Sequence, residues 1–455
     1  VNRWHRLPAA KRRLRGASAA LALALAAAGG CLAQGVPADG TDATDDGPAL
    51  SWSAFGTAGY AVSDRPWRYQ RYIDDGGTFR RDSVLGAQLD LQLTPQWSAT
   101  LQPRLAPASR SDKEWHLTAA WAFAAWRPGN DWLLRAGKLR VPFMLRSEQL
   151  DVGQTYDEAR VPAEVYQLLP ANDFTGAHVT RNWSLDAGEL SLDLYRGSSP
   201  LQNRNRVWLR EGIPGALPAG VRFNDLEITV QGAVLTWRGA DLTARAGVHH
   251  TRVRSTEGSA LMVRPSWAEL APGVGYWQTS NGLPGPGVTE VGASNNLALT
   301  VGGEARLGGN WRMAAELLHV VPRELKAGLA FTSGYVTAYR SWSALTAYAS
   351  VAAIRAAHGP RDWVRRLEST TVPATVPGAA LLNASMRARA DTIPLIDQRS
   401  LALGASYALT PHSRLKAEWL HVRAHGSQFI DTPAGEPLLR PRGVNVLSMS
   451  YSFAF

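Results

Sequence analysis

The chain has 455 residues, 45% apolar and 19% charged, with a formal charge of +10, one cysteine and seventeen tryptophans. A mean hydropathy of −0.18 excludes a helical membrane protein by bulk composition, and one thiol excludes a disulfide-held framework. Six cations and no acid precede Gln34, so removing that segment leaves 42 basic against 38 acidic residues, near +4, and the charge balance argues against a nucleic-acid partner.

Residues 1–33 read as a cleaved secretory signal. Arg3, Arg6, Lys11, Arg12, Arg13 and Arg15 form a basic n-region. The apolar run Ala17–Ala28, ~12 residues, is too short to span a bilayer of roughly 30 Å. Cys31-Leu32-Ala33 offers small residues where a signal peptidase reads, giving a cut before Gln34. Ala28-Gly29-Gly30-Cys31 is the rival reading, a lipidation box without its usual leucine. Residues 34–49, with Asp39, Asp42, Asp45 and Asp46 among Gly, Pro and Ala, predict a flexible acidic leader in the periplasm.

From residue 50 to 455 the pattern has period 2, and no long helical periodicity competes with it. Leu85, Ala87, Leu89, Leu91 and Leu93 alternate with Gly86, Gln88, Asp90 and Gln92. Segments around 190–194, 242–248, 297–306, 401–409 and 415–419 repeat the alternation. Short connectors rich in turn residues fall at 94–96, 127–131, 184–187, 238–240, 308–310, 341–343 and 410–412. Long ones fall near 63–81, 106–113, 140–174, 197–225, 254–295, 321–333, 355–396 and 424–442. Seven short turns and eight long loops join sixteen strands. This predicts an all-β fold, a transmembrane antiparallel barrel with short periplasmic turns and long extracellular loops. Residues 334–341 and 344–354 could form one longer or partly helical element, so fourteen or eighteen strands stay open.

Tryptophans sit in or beside six of the seven short turns: Trp97, Trp126, Trp132, Trp183, Trp237, Trp311 and Trp342. Barrels carry such aromatic girdles at the membrane interface. A soluble sandwich with core tryptophans is the alternative, but its tryptophans would not gather at turns on one end. Parity then assigns Arg104, Arg135, Arg245, Arg306, Arg312, Arg340, Lys416, Asp90, Glu189, Asp193, Glu304, Glu316 and Glu418 to a wet lumen wall. A lipid-facing charge at midplane would cost ~2–4 kcal/mol. Arg181 falls on the outward parity beside Trp183, where it could snorkel.

The connector 140–174 is the candidate constriction. A loop meeting only water has no use for Val141, Phe143, Met144, Leu145, Leu150, Val161, Val165, Tyr166, Leu168 and Leu169. Folded into the barrel, it would bury them and set Glu148, Asp151, Asp157, Glu158, Arg160 and Glu164 across the channel from wall arginines, filtering by size and charge. The alternative is a lid on the rim or a subunit contact.

The last strand, Leu447 to Phe455, alternates Tyr451, Phe453 and Phe455 with serines. It resembles the assembly signal of outer-membrane barrels. With the sixteen-strand plan and the long loop after the fifth strand, the chain resembles the Gram-negative porins. The resemblance covers the whole mature chain in pattern, but the Pro-Glu-Phe-Gly-Gly run of many classical third loops is absent. It implies a homotrimer, lipid and lipopolysaccharide as surroundings, the barrel assembly machinery as a biogenesis partner, and passive diffusion of small hydrophilic solutes. No cofactor is implied. G-x-x-x-x-G-K-[ST], H-E-x-x-H, C-x-x-C and G-x-S-x-G motifs do not occur. A barrel-borne hydrolase using His319 or His421, or a surface adhesin, remains the alternative function.

Overall fold

The computed structural model describes residues 48–168, 172–207, 220–258, 260–323, 329–393, 395–433, 436 and 440–455. The segment expected to be a signal, nearly all of the expected leader, Cys31 and Leu169 lie outside them. Sixteen strands form the wall: β1 (Ala49–Ser63), β2 (Val84–Gln92), β3 (Trp97–Pro107), β4 (Trp115–Gly129), β5 (Trp132–Arg140), β6 (Asp173–Leu185), β7 (Gly188–Val207) and β8 (Gly220–Arg238), then β9 (Leu242–Ser255), β10 (Ala293–Gly308), β11 (Trp311–Pro322), β12 (Phe331–Trp342), β13 (Leu345–Ala356), β14 (Ile396–Thr410), β15 (Ser413–Ser427) and β16 (Arg442–Ala454). Each pairs antiparallel with its neighbours in chain order, and β16 closes on β1 from Phe55↔Ala454 to Ser63↔Val446. The fold is a closed sixteen-stranded transmembrane barrel. Closure leaves no edge strand, so every strand's backbone groups pair within the wall.

Alternation decides which face meets lipid. On β16, Leu447 and Met449 are 58% and 66% exposed, while Val446, Ser448, Ser450 and Ser452 are buried. Small and hydroxylic side chains inside let the wall close over a filled lumen, while large apolar ones form the outer band. The short-turn rim carries the aromatic girdle. Trp97 stacks on Trp126 at 5.7 Å, and Trp52 meets Phe455 edge-on at 6.2 Å. Arg181 lies over Trp132 and Trp183 and pairs with Asp131 at 2.8 Å, so this outward cation reaches the interface.

Three expectations need correction. Arg340 is not a lumen residue: Tyr339 takes the inward position, and the Arg340 guanidinium lies over Trp311 at 5.1 Å and Trp342 at 5.8 Å while donating to the Gly309 carbonyl. The outward parity of its strand runs through Val336, and only the nearness of the rim makes a cation tolerable there. The 197–225 connector is largely strand, because β7 and β8 stay paired out to Val207↔Gly220. Asn203, Arg204, Asn205 and Arg206 are polar on both faces, so a ladder held by its backbone leaves no hydrophobic alternation to read. The 355–396 connector contains two helices, α2 (His358–Ser369) and α3 (Ala379–Thr392); α1 (Ala163–Tyr166) belongs to the 140–174 connector. Val364, Leu367, Leu382 and Met386 pack in one cluster with Tyr276 of the hairpin Ser266–Ala271/Val274–Gln278. No described helix is long and apolar enough to cross a membrane.

Candidate functional site

The 141–172 segment leaves β5 and turns into the barrel. Val141, Phe143, Met144 and Val165 are fully buried in the same core cluster as the inward wall residues Tyr195, Ile228 and Val230. The Phe143 ring lies 4.4 Å from that of His249, itself a wall residue bonded to Tyr195 and Thr300. Burial of these side chains supplies the drive to enter, at roughly 1.5–3 kcal/mol for each large one. Polar contacts then fix the path.

The loop is tied to most of the wall. Asp151 accepts from Arg104 of β3 at 2.5 Å and forms an ion pair with Arg140 at the end of β5. Glu148 sits 3.9 Å from both Arg135 and Arg245, and Arg245 donates to the Met144 carbonyl at 2.8 Å. On the far side Glu316 accepts from the Leu145 backbone N–H at 2.6 Å, from Tyr335 at 2.7 Å and from Tyr166. Arg146 bridges Glu158 and Glu304. Arg312 joins Glu304 at 2.8 Å to Asp157, which also takes Arg414 and the Ser406 hydroxyl. Lys416 donates to the carbonyls of Gly153 at 2.6 Å and Glu158 at 2.9 Å, its ammonium 4.0 Å from the Tyr156 ring centre. At Gly153 a Cβ would lie 2.5 Å from the Thr57 hydroxyl and 2.6 Å from that of Ser452, so only glycine permits this approach of backbone to wall.

Arg160 ties the loop to the β1–β2 connector and to β16. Its guanidinium grips Asp82 through two hydrogen bonds, at 2.9 and 2.5 Å, and Ser448 at 3.1 Å. Burial pushes the Asp82 carboxyl up, but Arg160 and then Arg81 outweigh it and hold the group below its ordinary value. Glu164 has no such cation. Burial raises its carboxyl despite hydrogen bonds that include one from Gln398 at 2.9 Å. Glu418 accepts from Tyr348 at 2.9 Å, and the same hydroxyl accepts from the Ala159 backbone.

Thus the loop carboxylates Glu148, Asp151 and Asp157 do not face the wall arginines across open water but touch or nearly touch them, while Glu158 meets the loop's own Arg146 and the wall hydroxyl of Tyr339. Four of the wall residues make no direct contact with the loop: Asp90 bonds Gln88 and Thr100, Asp193 bonds His178 and Thr180, Glu189 pairs with Arg238 at 3.3 Å, and Arg306 is exposed at the short-turn rim.

Open space lies on the other side of the loop, against β1–β3. A cavity of about 390 Å³ is lined by Arg71, Arg80, Arg81, Arg104, Arg160 and Lys416, opposed by Asp82 and Asp151. Arg71 is held by Asp112 and by the carbonyls of Ala108 and Ser111, and Arg81 by the Gln70 side chain. Sequence reasoning missed Arg71, Arg80, Arg81 and Asp82. Their stretch has the composition of a solvated loop, and only the closed ring brings it beside 141–172. Arg140 and Arg414, at strand ends, were missed for the same reason.

The architecture is porin-like. It rests on the closed ladder, the two kinds of connector and the loop inside the wall. No protein-family model and no curated protein matches the sequence. Among solved structures the barrel is similar to a loop L8 deletion mutant of OmpT, an outer membrane protein of Vibrio cholerae, at TM-score 0.49 and 10% identity over 90% of this chain and 100% of that one. It is similar to the outer membrane channel DcaP of Acinetobacter baumannii at 0.48 and 12%, covering 90% and 99%. It is also similar to an anion-selective porin from Comamonas acidovorans at 0.47 and 10%, covering 90% and 100%.

Proposed function

We propose that the protein is a narrow outer-membrane channel for passive diffusion of small hydrophilic solutes, and that it favours anions. The observation carrying this reading is the cavity beside the pinned loop, where six cations face two carboxylates. A solute there meets net positive charge between low-dielectric walls, which raises the local concentration of anions and lowers that of cations. The loop makes the channel narrow, because it packs inside the barrel and is tied to the wall around much of its circumference. Purified protein in a planar bilayer should give small conductance steps, and in a KCl gradient a reversal potential of the sign set by chloride. Protein that inserts without conducting, or a potassium-signed reversal potential, would refute the reading. We extend the reading to a homotrimer, which cross-linking in membranes tests.

A hydrolase finds no support among the described histidines named as candidates. The Nδ1 atom of His319 lies 2.8 Å from the Thr332 hydroxyl, and that of His421 lies 2.8 Å from the Asn445 side chain.

A further inference from the structure

Past the wall, β7 and β8 continue as a two-stranded arm. The ladder of β7 to β6 ends at Thr175↔Ser198 and that of β8 to β9 at Leu226↔Ser255, while β7 and β8 stay paired from Gln202↔Asp225 to Val207↔Gly220. At ~3.3 Å per residue this part of the arm reaches roughly 17 Å beyond both ladders. Two strands alone are marginal in water, and Asn203, Arg204, Asn205 and Arg206 give this pair no apolar face to bury. Its position therefore depends on what holds it.

Arg204 is the main tie. Its guanidinium donates to Asp112 at 2.9 and 3.2 Å and to Asp431 at 2.5 and 3.1 Å, and all three side chains are largely buried. Asp112 belongs to the β3–β4 connector and Asp431 to the β15–β16 connector. β15 and β16 stand opposite β7 and β8 in the ring of strands, so the arm and Asp431 meet over the mouth of the lumen. The surroundings agree. Ile430 pairs with Tyr69 in a short ladder, both are buried in the lumen core, and Leu201 at the root of the arm packs against that core. The Ser109 hydroxyl donates to Gln202 at 2.9 Å, and the Arg71 guanidinium lies 5.3 Å from the Phe223 ring centre. Arg71 and Ser109 also line the basic cavity beside the inward loop.

We infer that the β7–β8 arm is a strap over the long-loop mouth, latched by Arg204 between Asp112 and Asp431 and lifted when that contact opens. A planar guanidinium suits this place, since it can serve two carboxylates at once where an ammonium acts as a point charge. The contact is also built to open. Asp112 is held by Arg71 as well, and Arg71 stays behind when the arm leaves. Arg204 and Arg206 depart with the arm, and the water that replaces them hydrates Asp431, whose 3.8 Å contact with Arg206 is lost too. Release thus strands no charge in a dry site, which is what makes an ordinary buried pair costly to break. The strap's effect on solutes rests on reading the cavity as their path; the latch itself does not.

Hydrogen exchange of the full chain in lipid nanodiscs, read by mass spectrometry, tests the latch, and single-channel recording tests the strap. Arg204→Gln should speed exchange in peptides covering 199–207 and 220–226 at least ~10-fold, since its charge-assisted contacts with two carboxylates are lost, while peptides of β10–β12 keep their protection. Asp431→Asn should act in the same direction. Glu227→Gln, which breaks the exposed Arg254–Glu227 pair near the root of the arm, should leave the arm as protected as in the wild type. In planar bilayers Arg204→Gln should raise the open fraction severalfold. Heat-modifiable gel mobility confirms that each variant is folded. Arm exchange unchanged in both Arg204→Gln and Asp431→Asn would overturn the latch. Faster arm exchange with unchanged recordings from a conducting protein would overturn the strap. Faster arm exchange in a protein that conducts in neither form would support the latch and refute passive diffusion instead.

Discussion

The Arg160–Asp82 pair joins the inward loop to the seam of the barrel, and its removal should unfasten that loop without unfolding the wall. The side chains are 5% and 9% exposed and share two hydrogen bonds. Asp82→Ala leaves the guanidinium with only the Ser448 hydroxyl among the contacts described. Breaking one side of a buried pair costs about 3–5 kcal/mol, because the other charge stays buried and unpaired. At 1.4 kcal/mol per decade this shifts the balance between docked and released loop by roughly two to three and a half decades. Released loop should appear as brief, larger conductance steps in single-channel recordings. Arg160→Ala alone should act similarly, and the double variant should cost clearly less than the two single costs added, leaving a coupling energy of at least ~1 kcal/mol. Single variants that record like the wild type, or strictly additive costs, would refute the assignment of this pair as an anchor.

Asp82 and Glu164 should give loop docking opposite pH dependences. The Asp82 carboxyl is held below its unfolded value, so its contribution is complete above that value and is lost as pH falls through the folded one; acidification should increase loop-release events. The Glu164 carboxyl is raised, so its cost appears as pH rises through the raised value, and Glu164→Gln should suppress release events at high pH. Gly153→Ala places a methyl against Thr57 and Ser452 and should cost ~1–3 kcal/mol of loop docking by overpacking, read as added channel noise. Deleting Phe455 removes two backbone hydrogen bonds to Ala54 and the ring that meets Trp52, and should slow formation of the heat-resistant gel species severalfold in a refolding time course.

Most of the wall was legible because a barrel in lipid repeats one constraint. Outward positions must be apolar, inward ones tolerate charge, and turns need turn residues, so Leu85–Leu93 or Leu401–Leu409 declares its face without tertiary knowledge. Legibility failed where that constraint lapses. The β7–β8 extension is paired by backbone alone, and α2 and α3 find their apolar partners in another loop's hairpin. Arg340 shows the limit of parity near a rim, where an outward cation is tolerated. At the site, the apolar content of 141–172 pointed inward, since no surface loop needs Phe143 and Met144. Which carboxylate meets which arginine was not legible. Asp157 meets Arg414 some 257 residues away, and Arg160 meets Asp82 of the β1–β2 connector and Ser448 of β16, which are neighbours only after closure.

The tryptophan rim and the arginine rim together set a ruler. On β13 the outward apolar run from Leu345 to Ala353 covers eight residue steps, ended by Trp342 across the turn and by Arg355. At ~3.3 Å per step and a tilt near ~40° this is roughly 20 Å along the membrane normal. Average bilayers are thicker than that, and bacterial outer membranes are thinner than average. A cylinder gripped at both ends cannot slide to relieve the difference, so surrounding lipid must compress to meet it. Molecules that each draw the bilayer thin gain by sharing one dimple, and this gives such barrels a reason to gather in patches even where no side chain joins them.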